Sequence, residues 1–237
     1  MFAANRDEAH ERPTAPAGWW DDHDRILGGR DLQAGGSWLA VDRRGRLAAV
    51  TNVRDGHDTV YPRSRGHLVQ DYLTGSSSAV NYLAALKARE TDYGPYNLVI
   101  FEGRRLHYAS NRAPGQELGA GIYALSNTLP GSAWPKVRHA QARLSACLDD
   151  ADPNACLFDL LADETRHDDL PATAERATRL MSTVFIKDDR YGTRSSTVIL
   201  LSRDGELRFT EHRFGANGVP LGERSEQFKL TGSVASG

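Results

Sequence analysis

A layered α+β fold with mostly antiparallel sheets is predicted by three features of this sequence: recurring hairpin signals, two separate pairs of helical stretches between them, and no linker or internal repeat. The element order is strands, two helices, strands, two helices, strands, read as one domain over residues 1–237. At that length a chain buries a core without disulfide or metal staples.

Each element has a local reason. The opening "MFAANRDEAH" begins with four apolar residues that run into Asn5, Arg6, Asp7 and Glu8. Four is fewer than the roughly five or six of an ordinary strand, so further residues are expected to precede Met1. On a strand, alternation puts Arg6 and Glu8 on one face and Asn5 and Asp7 on the other. In "WLAVDRRGRLAAVTNV" two apolar runs flank Asp42-Arg43-Arg44-Gly45, whose glycine suits the positive-φ position of a hairpin loop. Leu68, Val69, Tyr72 and Leu73, then Val80, Leu83 and Leu86 beyond Gly75 and three serines, fall at helical spacing and predict two helices.

"YNLVIFEGRRLHYASNR" reads as a strand pair about Gly103, and "GIYALSN" as a short strand ending at Asn127. From Ser132 the period is helical again, with Val137, Ala140, Gln141, Leu144, Cys147 and Leu148 on one face. Asp152-Pro153, a cap followed by proline at the first helical position, opens a short helix through Leu161. "STVILLSRDGELRFTEHRF" is a hairpin about Asp204-Gly205, and residues 216–237 read as a loosely held tail.

Apolar residues make up 40% of the chain and charged residues 25%, and no stretch approaches the roughly 20 apolar residues of a membrane span. The net charge of −2 is spread along the chain, which argues against a nucleic-acid partner. Four of the 29 basic residues are lysines; the arginine bias fits anion binding or genomic base composition equally. Cys147 and Cys156 form no metal-ligand or dense disulfide spacing. They read as small buried hydrophobes in a reducing compartment, and with no secretory lead the chain reads as cytoplasmic. His139, and His167 with Asp168 and Asp169, do not repeat at a metal spacing, so no metal is expected. Gly28-Gly29 and Gly35-Gly36 open no helix, so no nucleotide cofactor is expected.

Four polar clusters end or follow apolar runs: Asn5 to Glu8, Thr51-Asn52-Val53-Arg54, Ser126-Asn127, and Tyr191-Gly192-Thr193-Arg194-Ser195-Ser196. Amides and arginines at strand ends are the groups that hold an anion or a developing oxyanion in a cleft. The candidate catalytic residues are Arg6, Asp7, Asn52, Asn127 and Arg194. The candidate ligand-binding residues are Asn5, Glu8, Arg54, Thr193 and Ser195.

In order along the chain, "AANRDE", Arg12-Pro13-Thr14, Trp19-Trp20, "ILGGRDLQAGGSWLAV", "GRLAAVTNVR", "SRGHLV", "YNLVIF", "GIYALSN", "WPKV" and "YGTRSSTVIL" resemble the NRDE family, also called the transport and Golgi organisation family. The resemblance runs from Ala3 to about Leu200. It implies an N-terminal nucleophile (Ntn) hydrolase fold, a four-layer αββα sandwich. Members typically begin Met-Cys, so it also implies acyl-amide or thioester hydrolysis by an N-terminal cysteine that is absent from this chain. By similarity to related Ntn amidases, Arg6 would lie beside that thiol and Asp7 on its amino group. Asn52 and Asn127 would serve the oxyanion and orient substrate, with Arg194 on the far side. The alternative implied by the family is a non-catalytic protein that binds or carries a haem-like or acyl-lipid anion as a small-molecule partner. No cofactor is expected; haem would be a ligand, with His23, His57 and His67 available to iron and His67 reading as a surface helix residue.

Overall fold

The computed structural model describes residues 1–54, 59–129, 135–166 and 182–231. In chain order the strands begin with β1 (Phe2–Ala9), β2 (Thr14–Trp20), β3 (His23–Asp31), β4 (Leu39–Asp42) and β5 (Leu47–Asn52). Helices α1 (Gly66–Thr74) and α2 (Ala79–Lys87) come next, followed by β6 (Tyr96–Glu102), β7 (Arg105–Ser110) and β8 (Gln116–Leu118). Then come α3 (Pro135–Cys147), α4 (Pro153–Leu161), β9 (Tyr191–Leu201), β10 (Glu206–Phe214) and β11 (Pro220–Lys229). The fold is α+β with antiparallel sheets, and the chain divides into two compact units.

The first unit holds a four-stranded sheet, ordered β1-β9-β10-β11, with α3 and α4. Helix α4 packs on β1 and β9, where Leu157, Leu160 and Leu161 meet Ala3, Val198 and Leu200. β1 runs antiparallel to β9 with Arg6 opposite Ser195 and Asp7 opposite Thr193, so Arg194 is the extra residue of a β-bulge. The bulge resets the alternation and turns the Thr193 side chain toward Asp7. The β9–β10 hairpin forms about Gly205 at φ +86°, as its Asp-Gly signal predicts.

The second unit holds a seven-stranded sheet in sequential order, β2 to β8, covered by α1 and α2. Its turns follow the predicted glycines: Gly45 sits at φ +82°, and Gly103 and Arg104 both have positive φ, as a two-residue hairpin turn of the primed type requires. Ser78 caps α2 by accepting from the Asn81 N–H. The β4–β5 loop closes a buried ion pair. Arg46 Nε donates to Asp42 Oδ2 at 2.8 Å, while its two Nη atoms donate to the carbonyls of Tyr72, Leu73 and Gly75. One guanidinium therefore satisfies carbonyls at the C-terminal end of α1, which the helix itself leaves open.

Several expectations are corrected. "GIYALSN" is not a strand; residues 122–128 run irregularly, the carbonyls of Ser126 and Thr128 held by side chains of β5 and β6, and the extra strand of this region is β8. Val80 is 60% exposed; α2 is buried through Ala79, Tyr82 and the expected Leu86, with Leu83 partly buried beside them. On α3 only Cys147 is fully buried, and Leu148 lies 46% exposed beyond its end. Cys147 and Cys156 are not separate hydrophobes but bonded to each other. The five-residue loop between α3 and α4 brings their Cα atoms to 5.5 Å, inside the disulfide range. That pairing removes the cysteine argument for a reducing compartment. Where a loose tail is expected after residue 216, Pro220–Lys229 forms β11, hydrogen-bonded to β10 at the sheet edge and mostly exposed. No helix among the described residues is long and apolar enough to cross a membrane.

Candidate functional site

The predicted residues gather into two groups, one in each unit. In the first unit the alternation expected for β1 holds. Asn5 and Asp7 turn toward α4 and residues 182–186. Asn5 Nδ2 donates to the carbonyls of Leu161 at 2.8 Å and Val184 at 2.9 Å, and its Oδ1 accepts from Ser196 Oγ at 2.6 Å. Both donors of the amide are used, so Asn5 is a tie between strand and helix end rather than a hand held out to a ligand. Asp7 Oδ1 accepts from Thr193 Oγ1 at 2.7 Å, and that hydroxyl in turn accepts from the Ile186 N–H at 2.9 Å. Burial pushes the Asp7 carboxyl above the usual carboxylate range; the Thr193 hydrogen bond and the positive charges of Lys136 and Arg6 oppose the shift without cancelling it.

Arg6 and Glu8 occupy the other face. Arg6 is 9% exposed, and its Nη2 lies 3.8 Å from Glu8 Oε2, which Arg12 Nε approaches at 3.7 Å. Arg194 at the bulge donates from Nη1 to the carbonyls of Ala9 and Arg12, bracing the turn after β1. Burial draws its guanidinium below the usual range, and Glu8 opposes that shift.

Ser195 is the most telling residue of this group. It lies opposite Arg6 on β1 and opposite Arg213 on β10, so Arg6, Ser195 and Arg213 form a row across three strands. Ser195 is 4% exposed, and among the described residues its Oγ has no hydrogen-bond partner. Arg213 donates from Nη2 to the Leu221 carbonyl, while its buried Nε is also without a partner among the described residues. Large buried polar atoms left open in one row are uncommon in native proteins. Toward the far end of β9 and β10 the same face carries the buried apolar residues Ile199, Phe209 and Leu207.

In the second unit, Asn52 and Arg54 are exposed at and beyond the end of β5, and the Arg54 N–H donates to the Asn127 carbonyl at 3.1 Å. The segment bearing Asn127 is fastened by a residue that sequence reasoning left unassigned, the fully buried Asn97 of β6. Asn97 Nδ2 donates to the carbonyls of Ser126 and Thr128, and its Oδ1 accepts from Tyr108 OH at 2.8 Å. A polar residue inside the apolar run "YNLVIF" was the signal that marks it. Arg12 and Arg213 were likewise unassigned; Arg213 could be found from the alternation Phe209, Glu211, Arg213 along β10.

Other candidates fall elsewhere. His139 of α3 contacts Asp163 Oδ2 through Nε2 at 2.5 Å. His67 is half-buried rather than a surface residue, its Nδ1 without a partner among the described residues. His23 packs near the Trp20 ring. His57, His167, Asp168 and Asp169 lie outside the described residues. Among the described residues no three His, Cys, Asp or Glu side chains gather as a metal site.

Residues 1–216 match the family model described as Transport and Golgi organisation 2. The chain belongs to that family. A Bos taurus Transport and Golgi organization protein 2 homolog is 32% identical over 97% of this chain and 92% of its own length. The Homo sapiens homolog is 31% identical over 89% and 85%, and the Drosophila melanogaster Transport and Golgi organization protein 2 is 29% identical over 89% and 84%. All ten residues proposed from the sequence fall within the part matched by the Transport and Golgi organisation 2 model.

Proposed function

We propose that this chain binds a small amphiphilic anion, an acyl lipid or a haem-like carboxylate, through the Arg6–Ser195–Arg213 row of its first unit. The observation that carries this reading is the buried Ser195 hydroxyl, open and flanked in register by two arginines. A guanidinium and a hydroxyl together suit a carboxylate, which accepts from both, and burial strengthens such charge-assisted bonds. Past Thr197 and the buried Glu211 the same face continues to Ile199, Phe209 and Leu207, which suits a molecule with a charged head and an apolar body. Equilibrium binding of oleate, palmitoyl-coenzyme A and haemin tests it. At least one should bind, and Arg6→Gln, checked for folding by its thermal melt, should weaken that binding by about tenfold or more. No binding of any of the three, or a folded Arg6→Gln protein with unchanged affinity, would sink the reading.

The Ntn-type reading, acyl-amide or thioester hydrolysis, has Asp7 in its favour: a buried carboxyl raised above the usual carboxylate range is a candidate for proton transfer. It calls for an N-terminal cysteine, which is not among the residues of this chain, and Cys147 and Cys156 are bonded to each other on and near the helix ends. Hydrolysis of acyl thioesters by the purified chain, lost in Asp7→Asn, would favour it over simple binding. In a cytoplasmic setting that cysteine pair would be kept reduced.

A further inference from the structure

We infer that Cys147–Cys156 is a reducible joint whose state governs the packing of α4 and, through Asn5, the order of β1. This proposal does not depend on what the protein binds. The bond ties the end of α3 to the first turns of α4 across the loop between them. At the opposite end of the same helix pair, His139 of α3 meets Asp163, just beyond α4, at 2.5 Å. The pair is thus fastened at both ends, covalently at one and by a hydrogen-bonded side-chain contact at the other.

α4 carries this fastening to β1. Leu157, Leu160 and Leu161 share a core cluster with Cys147 and Val198, and Ala3 of β1 packs against it. The Leu161 carbonyl, in the last turn of α4, accepts from Asn5 Nδ2. The Asp163 carbonyl accepts from the Phe185 N–H, next to the Val184 carbonyl that takes the other Asn5 donor. Releasing α4 therefore removes both acceptors from the place where Asn5 needs them.

The chemistry is thiol–disulfide exchange with an external dithiol as reductant. One of its thiolates attacks the sulfur of Cys156, which is half-buried, rather than that of the fully buried Cys147. The Cys147–Cys156 bond breaks, a mixed disulfide with Cys156 forms, and Cys147 leaves as a thiolate. The second thiol of the reductant, as its thiolate, displaces Cys156. Two electrons pass to the protein, protons complete both cysteine thiols, and the reductant ends as its own disulfide.

Hydrogen exchange and thermal melting of the full chain, with and without dithiothreitol, test the joint. The protein purified without reductant should show no free thiol, and two after reduction. Reduction should lower Tm by about 5–10 °C, as loss of a short-loop disulfide in a chain of this size implies. It should also speed exchange in Pro135–Cys147, Pro153–Leu161 and Phe2–Ala9 together. Cys156→Ser should show the reduced pattern in both conditions; if it does not fold, Cys147→Ala/Cys156→Ala serves. Two free thiols before reduction would overturn the proposal. So would unchanged exchange in Phe2–Ala9 on reduction, or a Cys156→Ser protein that still responds to dithiothreitol.

Discussion

The two units bury arginines in opposite ways. In the second unit Arg46 is enclosed and fully employed: its Nε and both Nη atoms donate, and the Asp42 carboxylate accepts from Arg44 and Arg46 through both backbone and side chain. In the first unit the row of Arg6, Ser195 and Arg213 is also buried or half-buried, yet among the described residues the Ser195 hydroxyl and Arg213 Nε have no hydrogen-bond partner. Burial is common to both clusters; what differs is the completeness of hydrogen bonding, and on the proposed reading the open row is the one that meets a ligand. Breaking the closed cluster should cost stability. Breaking the open one should cost affinity.

The largest effect expected is at the closed cluster. Arg46→Ala strands the buried Asp42 carboxylate and uncaps α1, and should destabilise by about 3–5 kcal/mol in urea unfolding. Asn97→Ala comes next. It removes the donors to Ser126 and Thr128 and the acceptor for Tyr108, and should cost about 1–3 kcal/mol. Faster exchange confined to residues near 125–129 would be its signature.

Smaller effects come from pH, and they run in opposite directions. Burial raises the Asp163 carboxyl, but hydrogen bonds from Thr165 and the contact with His139 outweigh it and bring the value down to about 2. A lowered folded value adds stability that is full above the unfolded carboxylate range and is lost as pH falls toward about 2. Asp163→Asn should therefore flatten the acid limb of a stability profile between about pH 5 and pH 2. Asp7 has the reverse sign. Its folded value is raised by burial, so its contribution is full below the unfolded carboxylate range and is lost as pH rises through the folded value. Asp7→Asn, which keeps an acceptor for Thr193, should raise stability at neutral pH relative to acid; a drop in stability at pH 7 would contradict that sign.

Much of this fold was legible because turn and cap chemistry is local. Gly45, Gly103 and Gly205 each mark a hairpin, and Ser78 and Asp152-Pro153 each open a helix, where the residue type alone meets the backbone requirement. Residues 122–128 misled for the converse reason: an apolar run looks like a strand, but here Asn97 and Thr51, distant in sequence, supply the hydrogen bonds a ladder would have made. The cysteine pair was missed because two cysteines nine positions apart say nothing about pairing until helix ends bring them together. Within the site, alternation correctly separated Arg6 and Glu8 from Asn5 and Asp7. Register lay beyond it: only the pairing of β9 with both neighbours puts Ser195 between Arg6 and Arg213.

Ser195→Ala, measured for thermal stability and oleate affinity on the same preparation, tests the central claim most directly. Removing a hydroxyl that has no hydrogen-bond partner among the described residues should leave Tm within about 2 °C, whereas removing one that meets a carboxylate should weaken binding by about tenfold or more. A fall in Tm with unchanged oleate affinity would show the hydroxyl to be structural and contradict the account.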